Sequence, residues 1–339
     1  MESIVKVSVV IPIYNEEQYI EACLESVLAQ DYDGEVEILL VDGDSTDRTR
    51  EIIFRYIARY NNIRLLDNPK RIAPVAMNIG IQNAHGELII IMGAHADYAY
   101  DYVSKCVEWS LKTGADNVGG PALARGNGYW GNAIEYTHYS PFGLGGADFR
   151  TGTYEGYTDT VFGGAFRREV FDKVGLYNER LVRNQDIEFN SRIIASGGKC
   201  FITPEIKCKY YCRSNLRDLW QQNYNNGLWS IYTIRLTKSA LSLRHFVPLL
   251  FVSSLIISLL LMILGWAVMS NWAWYLSLPF ILCGVSYILS NTFFSIKIAR
   301  RHSMKYFPAL LAVFATLHIS YGCGSIKGLI TAKARWNIR

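Results

Sequence analysis

Three long apolar segments near the C-terminus constrain the fold of this 339-residue chain more than any other feature. We predict them at residues 246–270, 273–296 and 306–326; the first two hold no charged residue, and His318 interrupts the third. Each is long enough for a helix to cross the bilayer's hydrocarbon core, about 30 Å thick, which takes about 20 residues. Core helices of soluble proteins rarely lack charge over such lengths, so we predict transmembrane helices.

The third segment has two possible arrangements, because it is rich in glycine near its end. It either crosses the membrane or forms a re-entrant or interfacial segment. Two basic stretches flank it, "KIARRHSMK" and "KGLITAKARWNIR", and the positive-inside rule places both in the cytoplasm. Three crossings from a cytosolic start cannot satisfy both, so the re-entrant or interfacial arrangement stays open.

Charge is divided unevenly along the chain. Residues 1–205 contain 19 Lys/Arg and 29 Asp/Glu, a net charge of −10, whereas residues 206–339 contain 15 Lys/Arg and one acid, a net charge of +14. A basic region beside long apolar segments is typical of contact with anionic membrane lipids. We therefore expect membrane lipids as partners and no nucleic acid.

The cysteines and the N-terminus indicate the compartment. The seven cysteines are scattered, and no second close pair joins "CKYYC" to complete a zinc site. Free thiols indicate a reducing environment. The apolar N-terminal stretch is short, contains Lys6 and lacks a cleavage site, so it is not a signal peptide. We expect a multi-pass protein of the plasma membrane with its first 205 residues in the cytoplasm.

Strand and helix patterns alternate through the first part of the chain. The stretches "VKVSVVIPIYN", "EVEILLVD", "NIRLLDN" and "ELIIIMG" are typical of buried strands, and helical spacing follows the first three. This alternation predicts an α/β fold with a parallel sheet and helices on both faces. We predict a cytosolic domain at 1–212, an interfacial region at 213–245 and a transmembrane region at 246–339.

Polar residues follow three predicted strands, at 14–16, 42–44 and 93–97. Ligands of parallel sheets bind at the carboxyl ends of the strands. In an extended segment His95 and Asp97 face the same way, so they could bind a divalent metal together with a phosphate. Alternatively, His95 packs against a loop and Asp97 caps a helix that starts near Asp101. The spacing does not decide between these two.

Five stretches together resemble glycosyltransferase family 2, and more closely its membrane-bound branch of the succinoglycan-biosynthesis ExoA type. They are "VVIPIYNEEQYIEACLESVLAQ", "LLVDGDSTDRT", "AMNIGIQNAHGELIIIMGAHADY", "DTVFGGAFRREVFDKVGLYNERLVRNQDIEFNSRI" and "QQNYNNGLW". The resemblance covers about residues 5–230. It implies a GT-A fold and inverting transfer of a sugar from a nucleotide-sugar donor, usually with Mg²⁺ or Mn²⁺.

The resemblance also implies which residues bind the nucleotide sugar. The family usually has two adjacent acids after the second strand, whereas this chain has Gly43 between its two acids, which leaves the role of the second acid open. The residues that match the family's donor-binding positions are Pro12, Tyr14, Glu16, Asp42, Asp44, Asn78 and Gly80.

The metal motif departs from the family pattern. The family usually reads D-x-D and the resembling branch D-A-H, but this chain has Gly93 at the first position and His95 at the last. We therefore expect His95 to be a metal ligand, with Asp97 as a substitute carboxylate, and Mn²⁺ or Mg²⁺ as the ion. Transfer without a metal is the alternative.

The stretch "RNQDIEF" matches the family's acidic motif on the acceptor side. Inverting transfer needs a base close to the acceptor hydroxyl, and we expect Asp186 to be that base with Glu188 in support. The residues alone also fit a helix N-terminus capped by Asn184 or Asp186. In "DTVFGGAF", we expect Asp159, Thr160, Gly163 and Gly164 to contact the acceptor or the donor sugar, because paired glycines let the backbone approach a ligand.

An amphipathic helix is predicted between the catalytic part and the membrane. Its apolar positions are Leu216, Leu219, Trp220, Tyr224, Leu228, Ile231 and Ile234, a pattern suited to the membrane interface. Gln222 and Trp229 resemble the family's Gln-and-Trp motif near the acceptor. Arg213 could bind a diphosphate or a lipid headgroup, and both interpretations stay open.

Two classes of function fit this sequence. The first is an inverting glycosyltransferase that moves a sugar from a nucleotide sugar onto a lipid-linked saccharide acceptor during cell-surface polysaccharide or glycan biosynthesis. The nucleotide sugar that we expect is a UDP-sugar. The second is a membrane-anchored nucleotide-binding scaffold with a degenerate site, suggested by Gly93. A polyprenyl-phosphate sugar synthase, which uses a bare lipid phosphate, is a closer alternative to the first.

Overall fold

The computed structural model describes residues 4–144, 152–237, 243–268 and 270–331. The chain forms two compact units. The N-terminal unit comprises residues 1–124 and 148–211, and the C-terminal unit comprises residues 125–147 and 212–339.

Eleven strands are present in the described residues. In chain order they are β1 (Val7–Ile13), β2 (Val36–Asp42), β3 (Ile63–Asp67), β4 (Leu88–Ile91), β5 (Ala96–Tyr98), β6 (Asn117–Gly120), β7 (Ala122–Arg125), β8 (Gly156–Thr158), β9 (Phe162–Arg167), β10 (Cys200–Ile202) and β11 (Cys208–Tyr211). Eight form one sheet in the order β3-β2-β1-β4-β9-β6-β10-β8, and β5-β11-β7 form a small second sheet.

The helices alternate with these strands and then follow them. In chain order they are α1 (Ile20–Leu28), α2 (Thr49–Ile57), α3 (Ala73–Asn83), α4 (Tyr102–Thr113), α5 (Gly128–His138), α6 (Pro141–Leu144), α7 (Arg168–Val174), α8 (Gln185–Ala195), α9 (Leu216–Thr237), α10 (Val247–Val268), α11 (Ala273–His302) and α12 (Phe307–Thr331). Helix α1 buries Ile20, Cys23, Leu24 and Val27, which is the spacing that predicted it.

The large sheet is mostly parallel, as the alternation predicted. Strand β1 runs parallel to β2 and β4, and β2 runs parallel to β3. Strand β9 is inserted antiparallel between β4 and β6. Successive residues of β1 face opposite layers: Val9 packs in one apolar cluster and Val10 in the other. The sheet is therefore covered on both faces, and the predicted α/β class is confirmed.

The boundary of the first domain differs from the predicted limit of residue 212. Residues 125–147 belong to the C-terminal unit. The Tyr136 ring stacks on His302 at 3.8 Å between centroids, and Phe142 stacks on Phe294 at 5.0 Å. These aromatic contacts join residues more than 150 positions apart, so no local pattern in the sequence indicates them.

Helix α9 buries small and polar residues together with two of its predicted apolar positions, Leu219 and Ile231. Among the buried residues are Asn223, Gly227 and Ser230, whereas Trp220 is 41% exposed. The reason is close packing against α12, where a side chain at Gly324 would overlap the carbonyl oxygen of Tyr224. Small residues let two helix backbones approach in this way, and membrane helices often associate through them.

Among the residues that the structure describes, three helices are long and apolar enough to cross a membrane: Val247–Val268, Ala273–His302 and Met304–Thr331. They match the three predicted segments, and the second continues through Arg300 and Arg301. The third is one uninterrupted helix, because its glycines face neighbouring helices rather than break the backbone. Gly322 lies against Val252 of α10, and Gly328 lies against Ile231 of α9.

We predict that Gly324→Ala lowers the stability of the detergent-solubilised protein, since the added methyl group must push α9 away from α12. Overpacking of this kind costs about 1–3 kcal/mol, so the thermal unfolding midpoint should fall by several degrees. The matched control is Gly284→Ala in α11, where no atom outside the adjacent turns of the same helix lies within 4 Å of the new methyl group. Because alanine favours helices over glycine, this control should unfold at an equal or slightly higher temperature. Equal effects of the two substitutions would contradict the packing argument.

Candidate active site

The loops that follow β1 and β2 are joined to each other in the N-terminal unit. The Asn15 backbone N–H donates to the Ser45 hydroxyl at 2.9 Å, and the Thr46 N–H donates to the Asn15 side-chain oxygen at 2.8 Å. The Glu16 N–H donates to the Thr49 hydroxyl at 2.8 Å. We call residues 14–16, 43–45 and 93–97 the strand-end rim, because each segment follows a strand of the large sheet.

The two predicted acids after β2 have different surroundings. Asp42 is fully buried: the Ser45 hydroxyl donates to it at 2.5 Å and Arg50 at 2.8 Å. Asp44 is exposed and forms an ion pair with Arg71. The hydrogen bond within this ion pair raises the pKa of the Arg71 guanidinium above its ordinary value. Asp44 is therefore the acid of this pair that a ligand can reach directly.

Strained backbone conformations are concentrated around the site. In the part of the chain that the structure describes, four residues other than glycine have a positive φ: Asn15, Asp44, Arg71 and Asn184. The first two belong to the strand-end rim, Arg71 pairs with the rim, and Asn184 precedes the acidic helix α8. Such conformations cost about 1–3 kcal/mol each and are found at functional sites, where the surrounding structure holds them in place.

Pro12 and Tyr14 complete the first part of the rim. Pro12 lies in β1 opposite Val41 and is half-buried, and the Tyr14 side chain is 47% exposed. An exposed ring beside an exposed acid and an arginine can accept a flat heterocycle by stacking and hydrogen bonding.

Asn78 and Gly80 serve packing in this structure. The Asn78 side-chain amide donates to the Tyr177 carbonyl at 2.9 Å and accepts the Tyr177 N–H at 2.9 Å. A side chain at Gly80 would overlap Val10 of β1. Asn78 therefore anchors the loop that leads to α8, and Gly80 lets α3 approach the sheet. The contact of either residue with a donor stays a prediction.

A second anchor holds the same loop. Lys70 pairs with Glu179 at 2.8 Å, which lowers the pKa of the Glu179 carboxyl, and the Asn78 amide donates to Glu179 at 3.3 Å. Lys70 is next to Arg71 in sequence. The loop before α8 is thus tied to the segment that carries the rim's arginine.

His95 and Asp97 have different partners. The His95 Nδ1 atom lies 3.3 Å from a carboxylate oxygen of Glu16, and Asp97 pairs with Lys209 at 3.0 Å across the small sheet. The structure therefore brings His95 together with Glu16 rather than with Asp97. Among the residues that the structure describes, no group of three or more His, Cys, Asp or Glu side chains could hold a metal ion.

Gly93 stands in an open position. Its N–H donates to the hydroxyl of Tyr98 at 2.5 Å, and burial raises the pKa of that phenol well above its ordinary value. An added Cβ atom at Gly93 would meet only the Tyr98 oxygen, at 3.8 Å. The surroundings of Gly93 therefore leave room for a side chain at this position.

The two acids of α8 are in the first turn of the helix but differ in role. Glu188 is buried and accepts two hydrogen bonds from Arg192, at 2.8 and 3.0 Å. Arg192 also donates to the carbonyl oxygens of Val174 and Leu176. Glu188 thus holds Arg192 against the end of α7, while Asp186 is only half-buried.

Buried hydrogen bonds tie α8 to the sheet. Asn190, one turn after Asp186, accepts from the Asn117 amide at 2.8 Å and donates to the Thr160 hydroxyl at 3.0 Å. Both asparagines and Thr160 are buried, whereas Asp159 is exposed. The predicted segment 159–160 is thereby fixed to the helix that carries Asp186.

The glycine pair after this segment has a conformational role. Gly163 and Gly164 have φ values of +65° and +113°. An added Cβ at Gly163 would lie 2.9 Å from the carbonyl oxygen of Ile91, and one at Gly164 would lie 2.5 Å from the Asn117 side-chain oxygen. The pair therefore lets β9 start directly beside the end of β4, which leads into the rim.

Arg213, Gln222 and Trp229 lie in the C-terminal unit. Arg213 is exposed, and the other two are half-buried on α9, with the Trp229 ring edge-on to Tyr232 at 5.5 Å. Their predicted contact with the acceptor or a diphosphate stays a prediction.

Arg71, Asn190 and the Lys70–Glu179 pair were not predicted from the sequence. Arg71 contacts an acid 27 positions away, and Asn190 contacts residues 30 and 73 positions away. Such partners have no local signature. The i, i+4 spacing of Asp186 and Asn190 was the available signal, since it places both on one face of a helix.

Comparison with known proteins agrees with this arrangement. The family model described as Glycosyl transferase family 2 matches residues 8–175. Over 260 residues the chain is 31% identical to the succinoglycan biosynthesis protein ExoA of Rhizobium meliloti, covering 76% of this chain and 78% of that protein. It is also 33% identical over 232 residues to a dolichyl N-acetyl-α-D-glucosaminyl phosphate 3-β-D-2,3-diacetamido-2,3-dideoxy-β-D-glucuronosyltransferase of Methanococcus voltae, covering 65% and 71% of the two chains.

Among solved structures, the mannosyltransferase PcManGT of Pyrobaculum calidifontis, in complex with GDP-mannose and Mn²⁺, is similar in fold. The TM-score is 0.60 at 18% identity, covering 96% of this chain and 87% of that one. The fold is therefore GT-A. With ExoA matched over most of both chains, the sequence and the fold agree, and this chain belongs to glycosyltransferase family 2.

Proposed function

We propose that the protein is an inverting glycosyltransferase that moves a sugar from a UDP-sugar to a lipid-linked saccharide at the membrane. One observation carries the proposal: the half-buried acid Asp186 is tied through Asn190 to Thr160, and β9 then starts beside the end of β4. A candidate base on the acceptor side and a candidate donor rim are thus held by one sheet.

The rim supports a nucleotide donor. Tyr14 offers a ring face, Asp44 can accept a hydrogen bond from a base N–H, and Arg71 lies within contact of Asp44. Uracil and guanine both carry a ring N–H. The donor test therefore compares a UDP-sugar with a GDP-sugar, the donor class named in the Pyrobaculum complex.

The rim also offers a partial donor set for a divalent metal. His95 and Glu16 lie 3.3 Å apart and supply one imidazole and one carboxylate, a mixed set that suits Mn²⁺ better than Mg²⁺. Two protein ligands leave room for phosphate oxygens. A bound ion would offset the charge that develops on the departing nucleoside diphosphate.

Transfer itself needs one proton acceptor on this chain. The acceptor hydroxyl oxygen bonds to the anomeric carbon, the bond from that carbon to the diphosphate oxygen breaks, and Asp186 takes the hydroxyl proton. Glu188 does not suit this role, because both of its oxygens accept hydrogen bonds from Arg192.

A lipid-linked saccharide is the proposed acceptor because of two observations. The described part of the chain contains three candidate membrane helices, and the relative from Methanococcus voltae is named for a dolichyl-linked sugar acceptor. The test incubates membranes containing the protein with labelled UDP- or GDP-sugars and with either a lipid-linked saccharide or a bare polyprenyl phosphate. Label in extended saccharide supports the proposal, label on bare phosphate favours a sugar-lipid synthase, and no label from any donor favours a scaffold.

We predict that Asp186→Asn lowers kcat by on the order of 10²–10⁴ and leaves nucleotide binding nearly unchanged, because an amide has the same shape but cannot take the proton. The measurements are kcat from steady-state kinetics with one nucleotide-sugar donor, and UDP binding by calorimetry. Asp172→Asn, the same change on the exposed surface of α7, is the matched control and should keep its activity. If Asp186→Asn retains most of its turnover, Asp186 is not the base.

We predict that His95→Ala weakens the enhancement of UDP binding by Mn²⁺, and that Gly93→Asp strengthens it. The first change removes the imidazole, and the second adds a carboxylate where the backbone has room for it. Asp97→Ala should have a smaller effect, since Asp97 already pairs with Lys209. Calorimetry of UDP with and without Mn²⁺ measures all three variants. Equal Mn²⁺ enhancement in the wild type and His95→Ala would remove His95 from the site.

We predict that Thr160→Val lowers kcat and Thr160→Ser largely restores it. Valine keeps the shape but leaves the Asn190 amide without its acceptor, whereas serine retains a hydroxyl. A buried donor that loses its hydrogen-bond acceptor costs about 1–3 kcal/mol. We expect the protein to reduce part of this cost by moving the segment 159–160, which would misplace the proposed acceptor contacts. Kinetics should show the change in kcat and in KM for the acceptor, with KM for the donor unchanged. A fall in kcat with both KM values unchanged would point to a smaller folded fraction instead, and a matching rise in both KM values would contradict an effect confined to the acceptor side.

A further inference from the structure

The three candidate membrane helices differ in how much of their surface the protein covers. In the most apolar part of α10 and α11, 17% and 11% of the residues are buried, whereas in the third span, which contains α12, half are buried. Apolar side chains of α10 and α11 such as Leu260, Trp266 and Leu289 are 59–65% exposed. The α10–α11 pair therefore presents a surface suited to lipid, and the third helix does so on one side only.

The α10–α11 pair has the features of a complete hairpin across a bilayer. Its tip carries four exposed aromatic side chains, those of Trp266, Trp272, Trp274 and Tyr275. No charge interrupts residues 246–296, and basic residues begin at Lys297. From Tyr275 to Lys297 the helix rises about 33 Å, which matches the thickness of the hydrocarbon core. Aromatic residues at one end and basic residues at the other are typical of the two membrane interfaces.

Helix α12 is bound along its length to α9, and the two run in the same direction. Gly324 lies against Tyr224, and Gly328 lies against Ile231. The Tyr232 hydroxyl is 2.7 Å from the Thr331 hydroxyl at the far end of the contact. Because the two helices are packed together, α9 must lie at the same depth in the membrane as α12.

Helix α9 is too polar to lie across hydrocarbon. Between its ends it carries five amide side chains, those of Gln221, Gln222, Asn223, Asn225 and Asn226. Asn223 bonds within the helix, to the Leu219 carbonyl. Further along the pair, Arg235 and Lys327 are exposed. Amides and charges are costly in the bilayer core, so a pair with this composition is better placed at the membrane surface.

We propose that the chain crosses the membrane twice, through α10 and α11, and that α12 lies with α9 at the cytoplasmic surface of the bilayer. This arrangement places both basic stretches, 297–305 and the tail after α12, in the cytoplasm. Three crossings cannot do so from a cytosolic start. The exposed Arg235 and Lys327 then face anionic headgroups. The proposal concerns membrane topology and holds whichever donor and acceptor the enzyme uses.

The test is the location of the C-terminus in the complete chain. Green fluorescent protein, which fluoresces only if it folds in the cytoplasm, and alkaline phosphatase, which is active only outside it, are each fused after Arg339 and produced in a bacterial host. We expect fluorescence and no phosphatase activity. The control inserts phosphatase at Asn271 of the otherwise complete chain, where the hairpin tip predicts activity outside.

A second measurement needs no fusion. Lys327→Cys is placed in a chain whose partly exposed cysteines, Cys212, Cys283 and Cys323, are replaced by serine. A membrane-impermeant maleimide should label it only after the cells are permeabilised, and Asn271→Cys should label in intact cells. Phosphatase activity at Arg339, or labelling of Lys327→Cys in intact cells, would show a third crossing and overturn the proposal. Failure of Asn271→Cys to label in intact cells, with labelling after permeabilisation, would show that the hairpin does not cross and would overturn it as well.

Discussion

The geometry of the proposed acceptor side depends on one buried set of hydrogen bonds, in which Asn190 joins Asn117 to Thr160. Inside a protein, water cannot replace a lost partner, so each of these amide bonds specifies a single arrangement. Because Asn190 lies one turn after Asp186, the same bonds that fix the helix to the sheet also fix the proposed base. The proposed acceptor side of the site is therefore positioned by the protein interior, although Asp186 itself is only half-buried.

The strand-end rim, which is the proposed donor side, is held differently, by exposed polar contacts between loops. Asn15, Asp44 and Arg71 adopt backbone conformations that residues other than glycine seldom adopt. The hydrogen bond from the Asn15 N–H to the Ser45 hydroxyl, the one from the Thr46 N–H to Asn15 and the Asp44–Arg71 ion pair hold them there. Exposed ion pairs contribute little stability, so this rim can exchange its internal contacts for contacts with a ligand at small cost.

Whether a feature of the structure could be predicted depends on how far apart in the sequence its interacting residues lie. The strands and α1 were predictable, because β-branched runs and the spacing of Ile20, Leu24 and Val27 are local signals. The assignment of residues 125–147 to the C-terminal unit was not, since Tyr136 meets His302 far along the chain. The acid pair after β2 was found, but only the structure shows that Asp42 is buried and Asp44 exposed.

The face of α9 shows a limit of hydrophobic periodicity itself. Periodicity assumes that burial is driven by removal of apolar surface from water, and it placed Trp220 and Tyr224 on the side predicted to face the membrane interface. At the contact with α12, close backbone approach decides instead, so Gly227 and Ser230 are buried and Trp220 stays exposed. The apolar residues left on the outside of α9 are then available to lipid. The same helix can thus bind a protein neighbour through its small residues and a membrane surface through its large ones.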